Sequence, residues 1–151
     1  MPSKQNPSHD SGNEFLAQEA QNLVQNAPIG IFTSTLEGRF FSVNPALARM
    51  LGYDSPQDMI HSITDIATQF YADPRDRKKL QQQIEMHGQA VNFECRFLRR
   101  DGSSFWASTN ELGVRDNNGE ITHYQGFITD ISERKQSQKE NIESQQLLEL
   151  I

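Results

Sequence analysis

The side chains that could bind a metal or attack a substrate are few in this chain of 151 residues. There is one cysteine, Cys95, so no internal disulfide can form, and the histidines are His9, His61, His87 and His123. No group of these residues has the spacing of a zinc site. The sequence also lacks a Walker loop and a Ser-His-Asp arrangement. We therefore expect no catalytic site and no metal site.

Acidic residues outnumber basic ones, and the formal net charge is -6. Asp58, Asp73, Asp76 and Asp130 come at predicted helix starts, where capping of free backbone amides explains them. The negative charge argues against nucleic acid and anionic membrane as partners, because both attract basic surfaces. No stretch reaches the roughly 18 apolar residues of a membrane span, and the polar N-terminus does not resemble a secretory signal. We expect a cytoplasmic protein.

Changes in composition divide the chain into segments. Residues 1–13 are rich in Ser, Pro, Gln and Asn, which predicts a disordered tail. Residues 14–27 carry apolar side chains at helical spacing and are predicted to form a flanking helix. Residues 28–131 are predicted to form one α+β domain. Residues 132–151 are strongly polar and contain neither Gly nor Pro, which predicts a C-terminal linker helix.

The α+β domain is predicted to contain two strands, three short helices and three further strands. Pairs in which a capping residue precedes proline mark the helix starts, and they are Asn44-Pro45, Ser55-Pro56 and Asp73-Pro74. After Gly88, apolar and polar residues alternate, as in half-buried strands. Turns at residues 99–102 and 116–119 separate these strands, so we expect an antiparallel meander.

Local motifs make the chain resemble the PAS family from about Ala27 to Lys135. The motifs are Asn44-Pro45-Ala46 through Leu51-Gly52-Tyr53, Asp73-Pro74-x-Asp76-Arg77, Arg99-Arg100-Asp101-Gly102-Ser103 with Phe105-Trp106, and Asp130-Ile131-Ser132-Glu133-Arg134-Lys135. The resemblance implies a five-stranded antiparallel sheet with short helices on one face. It also implies a regulatory module that senses a small molecule, a cofactor or a partner and precedes an output domain.

The resemblance raises the question of a flavin, because the string Cys95-Arg-Phe-Leu98 is similar to the photoactive cysteine motif of the flavin-binding LOV branch. In that branch the cysteine precedes the long helix, whereas Cys95 follows it in a strand. The flavin-binding polar positions align near Phe97, Ala107 and Ile128, which are apolar here and would leave the flavin edge unpaired. Flavin is therefore disfavoured, and Cys95 is interpreted as a small buried hydrophobe.

Haem is disfavoured as well. A haem-binding PAS domain takes an axial histidine, typically from its long helix, and here only His87 is on that helix, at its last turn. We expect no covalently bound cofactor. The residues predicted to line any ligand pocket are Met50, Ile66, Ile84, Phe93, Cys95, Phe97, Ala107, Thr109 and Ile128.

An apolar patch is predicted on the open face of the sheet, opposite the helices. Its residues are Trp106, Leu112, Val114 and Phe127. The apolar residues of the N-terminal helix are Leu16, Leu23 and Val24. Two interpretations stay open and both can hold: this helix covers the open face of its own chain, or both surfaces form the interface of a homodimer. We expect a homodimer that is held through this helix and the open face.

The leading hypothesis is a sensory module, of a sensor histidine kinase in the first place, that relays ligand or partner binding through residues 132–151. The alternative is a module of a diguanylate cyclase or similar protein that serves mainly for dimerisation. Asp130, Ile131, Ser132 and Glu133 are predicted to form the signal junction, with Asp130 and Glu133 in a capping box. The exit helix has no stop signal at Ile151, so we expect an output domain further along the same polypeptide.

Overall fold

The computed structural model describes residues 7–151, with side chains from residue 11 onward. In chain order the elements are α1 (Pro7–Asn26), β1 (Gly30–Thr35), β2 (Phe40–Val43), α2 (Pro45–Leu51), α3 (Pro56–Ser62), α4 (Ile66–Gln69), α5 (Pro74–His87), β3 (Gln89–Leu98), β4 (Ser104–Arg115), β5 (Ile121–Asp130) and α6 (Ser132–Glu149). The predicted order of elements therefore holds, with one addition. The single-turn helix α4 was not predicted, because four residues are too few to show a helical period.

Helix α1 begins earlier than the sequence predicts. Residues 7–13 are helical, so the predicted disordered tail extends too far, while residues 1–6 lie outside the described residues. The prediction relied on the scarcity of apolar residues before Phe15. Once a helix has formed, however, adding one more residue costs little compared with starting a new helix. Proline at the first position also suits a helix start.

The five strands form one antiparallel sheet in the order β2-β1-β5-β4-β3. The four helices between β2 and β3 cover one face, and the main apolar core lies between them and the sheet. Its fully buried side chains include Leu47, Leu51, Met59, Phe97 and Ile128. Alternation along β4 places residues 105, 107, 109 and 111 on this covered face.

Asn44 joins three elements at one end of the sheet. Its side-chain oxygen accepts from the backbone N–H of Leu47, which confirms the predicted cap of α2, and also from that of Ile31. Its side-chain nitrogen donates to the carbonyl oxygens of Val24 and Ile29. This one buried side chain therefore holds the end of α1 and the start of β1 against α2.

The open face of the sheet is not covered by α1 of the same chain. Leu16 and Leu23 on α1 are 64% and 73% exposed, and Trp106, Leu112 and Phe127 on the open face stay about two-fifths exposed. Among the described side chains of α1, only Val24 at its end lies beside this face. No helix within residues 7–151 is both long and apolar enough to span a membrane.

Candidate functional site

A small polar chamber lies on the covered face of the sheet, inside the apolar core. Its volume of about 10 Å³ is enough for roughly one water molecule. We call it the core chamber, and its lining residues are Phe32, Ser34, Phe40, Ile66, Phe70, Tyr71, Arg77, Leu80, Gln81, Glu111 and Tyr124. Helices α4 and α5 form one wall, and strands β1, β2, β4 and β5 form the other.

Glu111 is the acidic residue of the core chamber. It is 7% exposed because β4 alternation turns it inward, two residues after buried Thr109. Burial raises the pKa of the Glu111 carboxyl to about 7, against the opposing effects of the Thr109 hydrogen bond and the Arg77 guanidinium. At neutral pH this carboxyl is therefore close to its midpoint of ionisation.

The hydrogen bonding of Glu111 within the protein is sparse. Among the described residues, only the Thr109 hydroxyl donates to its carboxyl, over 3.3 Å to Oε1. The same hydroxyl lies 3.4 Å from the Phe127 carbonyl oxygen, so its one proton is shared between two acceptors. The carboxyl therefore keeps capacity for a further hydrogen-bond donor in the chamber.

Tyr71 brings a second titratable group next to Glu111. Its side chain is 3% exposed. Burial first, and then the negative charge of Glu111, raise the pKa of the Tyr71 phenol well above its ordinary value. Tyr71 therefore stays a neutral hydroxyl, able to donate or accept a hydrogen bond. Its ring packs edge-on against Phe70, with centroids 5.5 Å apart.

The space for the Glu111 side chain comes from a glycine on the neighbouring strand. Gly126 pairs with Glu111 on one side and with Phe32 on the other. A Cβ at Gly126 would lie 2.6 Å from Glu111 Cγ and 2.8 Å from Phe32 Cζ. A larger residue at this position would therefore displace one of these two chamber side chains.

Arg77 closes the chamber on the side of the β1–β2 turn. Its Nη2 donates to the Leu36 carbonyl oxygen over 3.4 Å. Its guanidinium also lies against Gly38, which has a φ of 98° that few side chains tolerate. Arg77 is thus held by the turn and forms no hydrogen bond with the Glu111 carboxylate.

The first turn of α6 is fixed to the sheet by a cluster that we call the junction latch. Glu94 on β3 accepts hydrogen bonds from Lys135 Nζ at 2.8 Å and from Arg134 Nη2. These two cations lower the pKa of the Glu94 carboxyl. Lys135 Nζ also lies 4.7 Å from the centroid of the Trp106 ring on β4. The latch therefore joins β3, β4 and α6.

Comparison with known proteins identifies the family of this chain. The family model for the PAS domain matches residues 28–133. The chain belongs to the PAS domain family. The PAS fold predicted from the sequence is confirmed, and with it a regulatory rather than a catalytic domain.

The relatives of this PAS domain include kinases. The sensor histidine kinase TmoS of Ectopseudomonas mendocina is 26% identical over 121 residues, which are 78% of this chain and 12% of that protein. Sporulation kinase C of Bacillus subtilis is 23% identical over 128 residues, which are 85% of this chain and 29% of that protein. The chain therefore spans less than a third of the length of these relatives.

Solved structures show the same fold. The crystal structure of the PAS domain of a protein from Colwellia psychrerythraea superposes with a TM-score of 0.67 at 18% identity, over 78% of this chain and 98% of that one. At this identity the likeness concerns the fold alone.

The predicted pocket residues all lie on or near the covered face of the PAS sheet, but most of them do not line the core chamber. Ile66 lines it, and Thr109 reaches it through Glu111. Cys95, Phe97, Ala107 and Ile128 are core residues packed beside it. Ile84 belongs to a second apolar cluster with Leu80, while Phe93 and Met50 pack at the core's edges.

Sequence patterns do not predict the polar residues of the chamber. They place the carboxylates at scattered helix caps and do not single out Glu111. The available signal was the alternation of β4, in which Phe105, Ala107 and Thr109 precede Glu111 at inward positions. A carboxyl at the next inward position indicates a buried acid, which is rare in cores unless it has a partner or a function.

The residues weighed for cofactor chemistry lie where the sequence predicted. Cys95 is in β3 and 2% exposed, and burial raises the pKa of its thiol far above the usual range. His87 is exposed in the last turn of α5. Within the described part of the chain, no three His, Cys, Asp or Glu side chains come together in a way that could hold a metal ion.

The predicted capping box at the signal junction does not form. Asp130 Oδ1 accepts from the Ser132 N–H over 2.9 Å, but the cap position of α6 is Ile131, whose side chain is buried. Glu133 is exposed, and within the described residues it makes no bond back to the start of the helix. The reason is that Asp130 is still the last residue of β5, one position too early for the box.

Proposed function

We propose that this PAS domain is the sensory module of a larger signal-transduction protein, in the first place a sensor histidine kinase. In this proposal, occupancy of the core chamber sets the position of α6, and α6 passes that state to an output domain. The observation that carries the proposal is the course of β4. This strand presents Glu111 to the chamber and Trp106 to the junction latch.

The strand provides a short physical connection between chamber and latch. Five residue steps separate Glu111 from Trp106, or about 17 Å of extended chain. The Trp106 carbonyl oxygen accepts from the Ile131 N–H over 3.0 Å, directly before α6. A ligand that shifts the packing of β4 would change how often the ion pairs of the latch are formed or broken. Ligand binding would in this way alter the position of α6.

We propose further that the domain works as a homodimer. The apolar residues of the open face, Trp106, Leu112, Val114 and Phe127, are left uncovered or partly covered by their own chain. Leu16 and Leu23 of α1, with Val24 beside the face, offer an apolar stripe. A helix with so few contacts to its own domain is marginal in water by itself. Packing α1 on the open face of a second copy would bury both surfaces.

The small volume of the chamber favours a second candidate function. With room for about one water, it does not hold a metabolite without enlarging. In that case the domain serves mainly to dimerise its parent protein, whether a kinase or a diguanylate cyclase. The two functions differ in one respect: only a sensory domain transmits a change in the chamber to α6.

Hydrogen exchange of the α6 amides tests this difference. Glu111→Gln alters the chamber without touching α6, and we expect it to change exchange in the first two turns of α6. The fluorescence of Trp106, the only tryptophan, should change with it. Glu94→Gln breaks the latch directly and therefore shows the α6 exchange pattern of the broken latch. Glu133→Gln, on the exposed side of the same turn, is the matched control. An α6 exchange pattern that stays the same in Glu111→Gln as in the wild type would refute the relay.

A further inference from the structure

The core chamber is lined by an unusual proportion of aromatic rings. Phe32, Phe40, Phe70, Tyr71 and Tyr124 all border it. Phe32–Phe40 and Phe40–Phe70 meet edge-on, with centroid distances of 5.5 Å and 5.1 Å, and Phe70 stacks on Phe97 at 4.2 Å. In such contacts one ring covers part of the face of the next. The rings therefore supply an apolar lining that excludes bulk water, and the attraction for a cation must come from the acidic residue of the chamber.

The chamber also contains a counter-charge for a cation. Glu111 is its only acidic lining residue among those described, and the carboxyl has capacity for another donor. The hydroxyls of Ser34, Tyr71 and Tyr124 and the amide of Gln81 are further polar groups in the lining. They can accept hydrogen bonds from a cation that carries several N–H donors.

The charged groups around Glu111 leave it available. Arg77 on α5 faces the chamber, but its guanidinium donates to the Leu36 carbonyl oxygen. Asp76, on the same helix, raises the pKa of Tyr71 and of Cys95 through its negative charge. Burial raises the pKa of the Tyr71 phenol and of the Cys95 thiol, so both stay neutral. The lining residues from β1 and β2 carry no charge. Arg77 is therefore the one positive lining residue that competes with a bound cation, and its guanidinium is held at the β1–β2 turn.

We propose that the core chamber binds the ammonium ion, with Glu111 as its counter-charge. This inference rests on the proposed sensory function, since it names the ligand of that site. The size agrees, because ammonium occupies about the space of one water molecule. An alkyl chain on the nitrogen would have to displace the aromatic side chains.

The binding of the cation is linked to the ionisation of Glu111. Only the ionised carboxylate supplies the counter-charge, and its pKa is about 7. The ionised fraction therefore rises about tenfold from pH 6 to pH 8, and the apparent affinity for the cation should rise by about the same factor. At pH 7, binding should release about half a proton.

Calorimetric titration of the wild-type domain with ammonium chloride tests the proposal. Sodium chloride at equal ionic strength is the control for salt. We expect saturable binding of ammonium and not of sodium, tenfold tighter at pH 8 than at pH 6. Repeating the titration at pH 7 in two buffers of different ionisation enthalpy should show the released proton. Glu111→Gln should abolish binding, and Glu133→Gln should retain it.

Each outcome decides a separate point. Equal responses to sodium and ammonium, or binding that does not change with pH, would overturn the ammonium site. Because these measurements use the wild type, they decide the matter even if Glu111→Gln does not fold. If ammonium binds and α6 exchange is unaffected, the ammonium site stands and the proposed relay fails. If ammonium does not bind while Glu111→Gln still changes α6 exchange, the ammonium site fails and the relay stands.

Discussion

The ionisation of Glu111 should make the stability of the domain depend on pH in a way that one substitution removes. In the folded domain the pKa of this carboxyl is raised from 4.5 to about 7. The folded state therefore holds the proton more tightly than the unfolded chain does. It follows that the stabilising effect of the proton is complete below about pH 4.5 and is lost as pH rises to about 7.

The size of the effect follows from the shift in pKa. One pKa unit corresponds to about 1.4 kcal/mol, so a shift from 4.5 to about 7 predicts a loss of roughly 3 kcal/mol in the free energy of unfolding. Glu111→Gln has nearly the same shape, can still accept from Thr109 and does not titrate. We expect the wild type to be less stable than this variant at pH 8, with the difference shrinking or reversing at pH 5.

Urea unfolding of both proteins between pH 5 and pH 8.5 measures this difference. Other titrating groups are common to the two proteins and cancel in the comparison. Arg77→Gln adds a second check, because loss of its positive charge should move the Glu111 transition to higher pH. A difference between wild type and Glu111→Gln that is the same at every pH would show that Glu111 does not titrate in the core, and the reasoning would fail.

Three further substitutions test the packing of the domain and its dimerisation. Asn44→Ala removes the bonds to Ile31, Leu47, Val24 and Ile29 and should cost about 3 kcal/mol in urea unfolding. Asn44→Asp should not restore this stability, because it places a buried carboxylate oxygen against the Val24 and Ile29 carbonyl oxygens, and a stable Asn44→Asp variant would contradict the donated bonds. Gly126→Ala should lower the free energy of unfolding by about 1–3 kcal/mol, because its Cβ would displace Glu111 or Phe32. Gly12→Ala, which has open space around it, should not destabilise the domain. Equal effects of the two substitutions would contradict the close packing at Gly126. Trp106→Glu should weaken dimerisation in light scattering and Trp106→Phe should not, and a wild type that stays monomeric at high concentration would disprove the interface.

The sequence by itself determined the order of elements, because the signals for starting and stopping a helix act over a few residues. Asn44, Ser55 and Asp73 each accept from a backbone N–H at the start of the next helix, as their spacing to proline predicts. Gly52 and Gly88 end helices with φ near 80°, which glycine tolerates best. The alternation after Gly88 likewise indicates which strand residues face inward, except at Val91, which is 57% exposed because a bulge shifts the register between Ala90 and Phe93.

Tertiary structure alone decided which distant residues meet. Glu111 lies near Tyr71 and Arg77 only because β4 pairs with β5 and α5 crosses the sheet at that level, and no local pattern encodes that register. Glu94 meets Lys135 for the same reason, since two strands separate them along the chain. The sequence could show that Glu111 faces inward, but the shift of its pKa depends on everything packed around it. Local capping is written within a few residues, whereas the chamber and the junction latch exist only once the sheet has closed.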